Sequence, residues 1–146
     1  MFDIITTQYD NSAVKEAVET VAMGKQGIIE ANGSYRLTVE GRRHATEGDG
    51  GASRRVLVIV GHGSANGLSG CRTWAEYKII FGNLIEWSEK DTVYLVSCRG
   101  ADESFEALGF GNISREVAKD FPDATVWASS TPVFVTTLQG TWEKVQ

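Results

Sequence analysis

The chain has 146 residues, 42% of them hydrophobic and four of them tryptophan, enough for one sizeable core and too apolar for a disordered segment. The net charge is −5 and the fourteen lysines and arginines are scattered, which disfavours a nucleic-acid groove or a polybasic membrane anchor. No apolar run approaches the roughly eighteen residues of a membrane span, and the opening MFDIITTQYD has neither the charged nor the apolar region of a signal peptide, so a soluble single domain over residues 1–146 is expected.

Residues Phe2 to Thr7 read as a short strand. Val14, Ala17, Val18, Val21 and Ala22 then recur at helical spacing, with Asn11 or Ser12 as the cap. GIIEANGSYRLTVEG reads as a hairpin turning at Asn32-Gly33, a dipeptide that tolerates positive φ at both central positions. The polar, glycine-rich RRHATEGDGGAS that follows reads as a mobile loop. Arg55 to Val60 is a continuous apolar strand, the pattern of a strand covered on both faces. TWAEYKIIFGNLIEW is helical, TVYLVSC is a second apolar strand, and NISREVAKDF is a helix capped by Asn112 and stopped by Pro122. ATVWAS makes a third strand and PVFVTTLQGTWEKV a terminal hairpin. Strands alternating with helices predict an α/β fold with a largely parallel sheet and helices on both faces, whose chemistry gathers at the carboxyl ends of the strands.

Three successive core strands end in distinctive residues: His62, then Cys98, then Ser129, Ser130 and Thr131. Neighbouring parallel strands lie about 4.8 Å apart, so an imidazole and a thiol at adjacent ends can face one another across a narrow cleft. A thiol must lose its proton to attack a carbonyl, and a nearby imidazole can take it. Gly61 and Gly63 flank His62, and the Gly63 amide, with that of Cys98, is a candidate for binding an oxyanion. Order discriminates further. Both histidines, His44 and His62, precede Cys98, whereas papain-like proteases, triad glutaminases and α/β-hydrolases place the nucleophile before the histidine. Histidine before cysteine on neighbouring parallel strands is the caspase-type arrangement.

Plainer readings exist for each residue. His62 alone could be a loop residue and Cys98 alone a core residue. Cys71 reads as structural and His44 as solvated, and the two cysteines and two histidines lack the close spacing of a metal site. Two rival functions are a rhodanese-like sulfurtransferase, whose cysteine also opens a loop into a helix, and a catalytically idle fold acting as a binding module.

Together VLVIVGHGSANGLSG, VYLVSCRGADESFEALGFGNISREVAKDF and ATVWASSTPVFV resemble the cysteine protease domain of large bacterial toxins, the autoprocessing domains of multifunctional RTX toxins and of large clostridial glucosylating toxins. The opening FDIITTQYDNSAVKEAVETVA is similar to that family's first strand and helix. The resemblance implies a caspase-like three-layer sandwich with a terminal β-hairpin, in which Cys98 is the nucleophile and His62 its histidine partner. It also implies a cysteine endopeptidase that cuts a polypeptide, its own parent chain included, with no cofactor in the chemistry. Such a protein is secreted by a bacterium and acts in the host cytosol; a free-standing peptidase would act in the bacterial cytoplasm. By the same resemblance Ala128, Ser129, Ser130, Thr131 and Val133 border the substrate pocket. Relatives are switched on by inositol hexakisphosphate bound at a basic site. The tail here supplies only Lys144 to such a site, and Lys25, Arg36, Arg54 and Arg55 are the other candidate cations. Some relatives orient the histidine with an acidic residue; the resemblance assigns none here, so the site is read as a His62–Cys98 dyad with its third member open.

Overall fold

The computed structural model describes residues 2–6, 11–22, 35–39, 42–45, 55–64, 67–68, 73–82, 87–97, 113–134 and 137–146. The chain runs β1 (Phe2–Thr6), α1 (Ser12–Ala22), β2 (Tyr35–Val39), β3 (Arg42–Ala45), β4 (Val56–Val60), β5 (Gly63–Ser64), β6 (Gly67–Leu68), α2 (Trp74–Phe81), β7 (Thr92–Val96), α3 (Ile113–Asp120), β8 (Thr125–Ser129) and β9 (Trp142–Lys144). Seven strands form one sheet in the order β3-β2-β1-β4-β7-β8-β9. The five inner strands are parallel, and each edge strand is antiparallel to its neighbour. β5 and β6 make a separate two-stranded ribbon.

Helices cover both faces, giving an α/β fold of three layers. Alternate residues of the inner strands explain how. Ile5, Leu57, Ile59, Val93, Leu95, Val126 and Ala128 pack on one side with Trp74, Tyr77 and Phe81 of α2 and Ile113 and Val117 of α3. Ile4, Val58, Val60 and Val96 point the other way, into Val14, Ala17, Val18 and Val21 of α1. A strand buried on both faces has no polar side, which is why VLVIV is apolar throughout. Each fully buried aliphatic side chain contributes about 1.5–3 kcal/mol.

Local chemistry sets the helix ends. Asn11 caps α1, its Oδ1 accepting from the Ala13 and Val14 amides at 3.0 and 3.2 Å. Thr73 caps α2 through the Glu76 amide at 3.2 Å. The helix expected over TWAEYKIIFGNLIEW stops earlier, at Phe81, because Gly82 adopts a φ of 41° that a side chain would resist.

Two expectations about hairpins are corrected. The partner of β2 is β3, with Arg36 opposite Ala45 and Val39 opposite Arg42, in a segment expected to be a mobile loop. RRHA lacks apolar alternation because it forms a sheet edge, where charged residues are tolerated and guard against further pairing. The first arm expected for the Asn32-Gly33 hairpin lies outside the described residues. At the C-terminus, β9 pairs with β8 and not with the PVFV segment, placing Trp142 opposite Ser129 and Lys144 opposite Trp127.

The connection between β8 and β9 is held by its own polar groups. The Ser130 amide donates to the Thr141 carbonyl at 3.0 Å, and the Thr141 amide donates to Thr131 Oγ1 at 2.9 Å. Gly140 is packed so closely that a Cβ there would lie 2.7 Å from Ser129 Oγ. Leu138 adopts a φ of 55°, yet is 2% exposed and inserts into the α1-side cluster beside Val133. That backbone conformation costs about 1–2 kcal/mol, which burial of the side chain offsets.

Candidate active site

β4 and β7 end level with one another, Val60 opposite Val96, and the Gly61 amide extends the ladder by donating to the Val96 carbonyl at 3.2 Å. His62 stands two residues beyond Val60, and in the sequence Cys98 stands two residues beyond Val96. Cys98 itself lies outside the described residues, as does Cys71. The parallel pairing expected of these strands is thus present, and it carries His62 to the edge from which the chain continues to Cys98. Gly63 opens β5 with Leu68 as its partner. His44 is in β3, opposite Leu37, at the far edge of the sheet.

The sheet reverses its winding between β1 and β4, since α1 leads outward to β2 on one side and β4, β7 and β8 follow on the other. Ligands of doubly wound sheets bind at such a reversal, outside the carboxyl ends of the strands. Here two side chains meet across it. Asn11, at the start of α1, lies with its Oδ1 3.1 Å from His62 Nε2. That oxygen already accepts from the Ala13 and Val14 amides, so Nε2 is the donor in the third bond. Asn11 is legible in the sequence as a helix cap, but nothing local shows that its oxygen also holds a histidine 51 residues away.

His62 opens onto a cleft of about 140 Å³. Ala13, Val14 and Ala17 of α1 form one wall, and the strand-end valines Val60 and Val96 form the floor with Val133 from the β8–β9 connection. Gly61, His62 and Ser97 complete the lining. The walls are aliphatic and the polar groups few, the usual character of a small-ligand site. Ser97 is 3% exposed, and its Oγ has no hydrogen-bond partner among the described residues.

Of the segment expected to border the substrate, Val133 lines the cleft. Ala128 and Ser129 are fully buried, with Ser129 Oγ donating to the Thr131 carbonyl at 2.9 Å, and Ser130 and Thr131 are half-buried in the connection. Among the cations considered for a polyanion, Lys144 is exposed on β9, Arg36 lies in β2 opposite Asp3, and Lys25 and Arg54 lie outside the described residues. Among the described residues, no group of histidine, cysteine, aspartate and glutamate is arranged to hold a metal ion, and no helix is long and apolar enough to cross a membrane.

Arg55 is at the amino end of β4, at the opposite edge of the sheet from His62, and its Nε donates to Asp91 Oδ2 at 2.6 Å. That bond, helped by one from Thr92 and opposed by desolvation, holds the Asp91 carboxyl below its ordinary value of 3.8. A depressed carboxylate stabilises the fold above its unfolded pKa, and the stabilisation is lost as pH falls through the folded value. Thermal unfolding will therefore show Arg55→Ala to be less stable at neutral pH by about 0.2–1 kcal/mol, the range of an exposed pair. The difference is expected to shrink as pH falls below about 4. A gap that stays constant down to strong acid would show that the guanidinium acts through packing instead.

Comparison of the chain with protein-family models finds no match, and comparison with curated proteins finds no similar sequence.

Proposed function

We propose that this chain is a cysteine endopeptidase with a caspase-like fold, in which Cys98 is the nucleophile and His62 its proton acceptor, and that it acts as an autoprocessing domain of the kind found in large bacterial toxins. The observation that carries the reading is the Asn11–His62 contact of 3.1 Å at the carboxyl edge of β4, beside the strand that leads to Cys98. A histidine held by a side chain from another element is the second part of a nucleophile–base–orienting-group series. The three-layer α/β architecture and the cleft at the winding reversal also support it.

The steps balance as follows. Cys98 gives its thiol proton to His62, and the thiolate attacks the peptide carbonyl carbon. The tetrahedral oxyanion collapses with loss of the C–N bond, and the imidazolium returns its proton to the departing amine. Water, deprotonated by His62, then cleaves the thioester and regenerates the thiol.

The test is labelling with a peptidyl acyloxymethyl ketone, a thiol-directed substrate mimic, read by mass spectrometry at both cysteines. Cys98 is expected to react at least about 100-fold faster than a model thiol, and Cys71 no faster than one. If Cys98 reacts only at the model-thiol rate, the peptidase reading fails. Reversible binding of the mimic without labelling would instead point to a binding module.

A further inference from the structure

Ser97 is the one described residue whose buried side-chain polar atom is left without a hydrogen bond. A hydroxyl in that position forfeits its water contacts and receives nothing in return, so the free protein is destabilised by its presence. Its neighbours sharpen the point. Elsewhere buried hydroxyls are satisfied close to home: Thr20 Oγ1 donates to the Glu16 carbonyl at 2.9 Å, and Ser129 Oγ donates to the Thr131 carbonyl at 2.9 Å. Ser97 also lines the cleft that His62 opens onto, and it is the residue immediately before Cys98. An orphaned buried polar group beside a cleft is the pattern of a group reserved for a ligand, because functional sites are where folding rules are broken.

We infer that Ser97 is a ligand-binding residue: its hydroxyl hydrogen-bonds a main-chain peptide group of the ligand whose aliphatic side chain occupies the cleft. The aliphatic part follows from the walls, which α1 supplies as Ala13, Val14 and Ala17. A cavity of about 150 Å³ accepts a ring of six carbons, so about 140 Å³ suits a side chain of four or five. The polar part follows from the orphaned hydroxyl, since a purely apolar occupant would leave it unpaired. That the ligand is a peptide rests on the peptidase reading; that Ser97 binds it rests on burial and on the cleft.

The experiment uses the full chain carrying Cys98→Ala, so that binding is read without turnover, and the probe N-acetyl-L-leucine methylamide. Methyl-resolved NMR is expected to show saturable shifts at Ala13, Ala17 and Val60. Ser97→Ala in that background is expected to weaken the probe by about 3–10-fold, the worth of one hydrogen bond. The same substitution is expected to raise the unfolding midpoint of the ligand-free protein by about 2–6 °C, because it removes an unpaired polar group. A purely structural serine would move the midpoint down, and this opposition of signs is the signature sought. The inference is overturned if Ser97→Ala lowers the midpoint, if the probe's affinity is unchanged, or if no cleft methyl shifts up to the probe's solubility limit. The two readings separate cleanly. Binding that depends on Ser97 in a chain that never cleaves peptides sinks the peptidase and leaves this inference standing, whereas cleavage with unchanged kcat/KM in Ser97→Ala does the reverse.

Discussion

Replacing His62 by alanine is expected to slow both peptide cleavage and acylation of Cys98 by about 10²–10⁴-fold, the usual contribution of a positioned acid–base group. The fold is expected to change little, since the His62 side chain is exposed and surface substitutions stay within about 0.5 kcal/mol. Asn11 provides the finer test, because it does two things with one oxygen. It caps α1 and it accepts from His62 Nε2. Asn11→Ser keeps a good capping group but shortens the side chain by one atom, so stability is expected to hold while activity falls about 3–10-fold. Asn11→Asp presents an oxygen at the same reach and is expected to restore activity. Asn11→Ala loses both roles, and about 0.5–2 kcal/mol of stability with them. Rescue by aspartate and not by serine identifies Asn11 as a positioning residue for His62. Equal activity in the serine and aspartate variants would reduce it to a cap, and undiminished cleavage in His62→Ala would remove the histidine from the chemistry.

How much of this was legible in the sequence depends on how each residue's role is written there. Val14, Ala17, Val18 and Val21 are all buried, as their spacing predicts, because a single covered face imprints the helical period directly. VLVIV and TVYLV announce buried parallel strands because two covered faces leave no polar alternation. RRHA could not be read as a strand, since an edge makes no apolar demand of its residues. The pairing of β9 was hidden for another reason. Val133 to Val135 and Thr125 to Ser129 are both β-prone, and the choice between them is made by non-local packing, in which Leu138 and Val133 turn into the α1-side cluster. The site shows the same division. His62 and Asn11 are each visible alone, one as a histidine in a turn and the other as a cap, while their contact exists only once β1 and β4 are placed side by side.

At the opposite edge of the sheet the structure contains a feature with a still larger expected effect on stability. Lys90 Nζ lies 2.6 Å from Asp3 Oδ2, and both side chains are completely buried. Asp3 is the single charged residue of β1, and a carboxylate buried in that strand requires a partner. Its register neighbours are Leu57 of β4 and Arg36 of β2, and Lys90 reaches it from just ahead of β7, so the pair ties β1 to the amino end of β7 across β4. Such a pair gains little over apolar residues of similar shape, but removing one member takes the close opposite charge away from the other in the core. Lys90→Met and Asp3→Leu are therefore each expected to lose about 3–5 kcal/mol, a fall of about 6–20 °C in Tm for a chain of this size. The double variant Asp3→Leu with Lys90→Met is expected to recover most of that loss, because both charges leave together. Urea unfolding of the four proteins measures the coupling directly. Additive losses, or single losses under about 1 kcal/mol, would show that water reaches the pair and that the strands are held by their apolar faces alone. The substitutions also test the functional site from a distance. If the pair only secures the fold, kcat of the surviving folded fraction is expected to be unchanged; if the amino-end register of β1, β4 and β7 sets the spacing of Asn11, His62 and the strand leading to Cys98, kcat falls before the fold is lost.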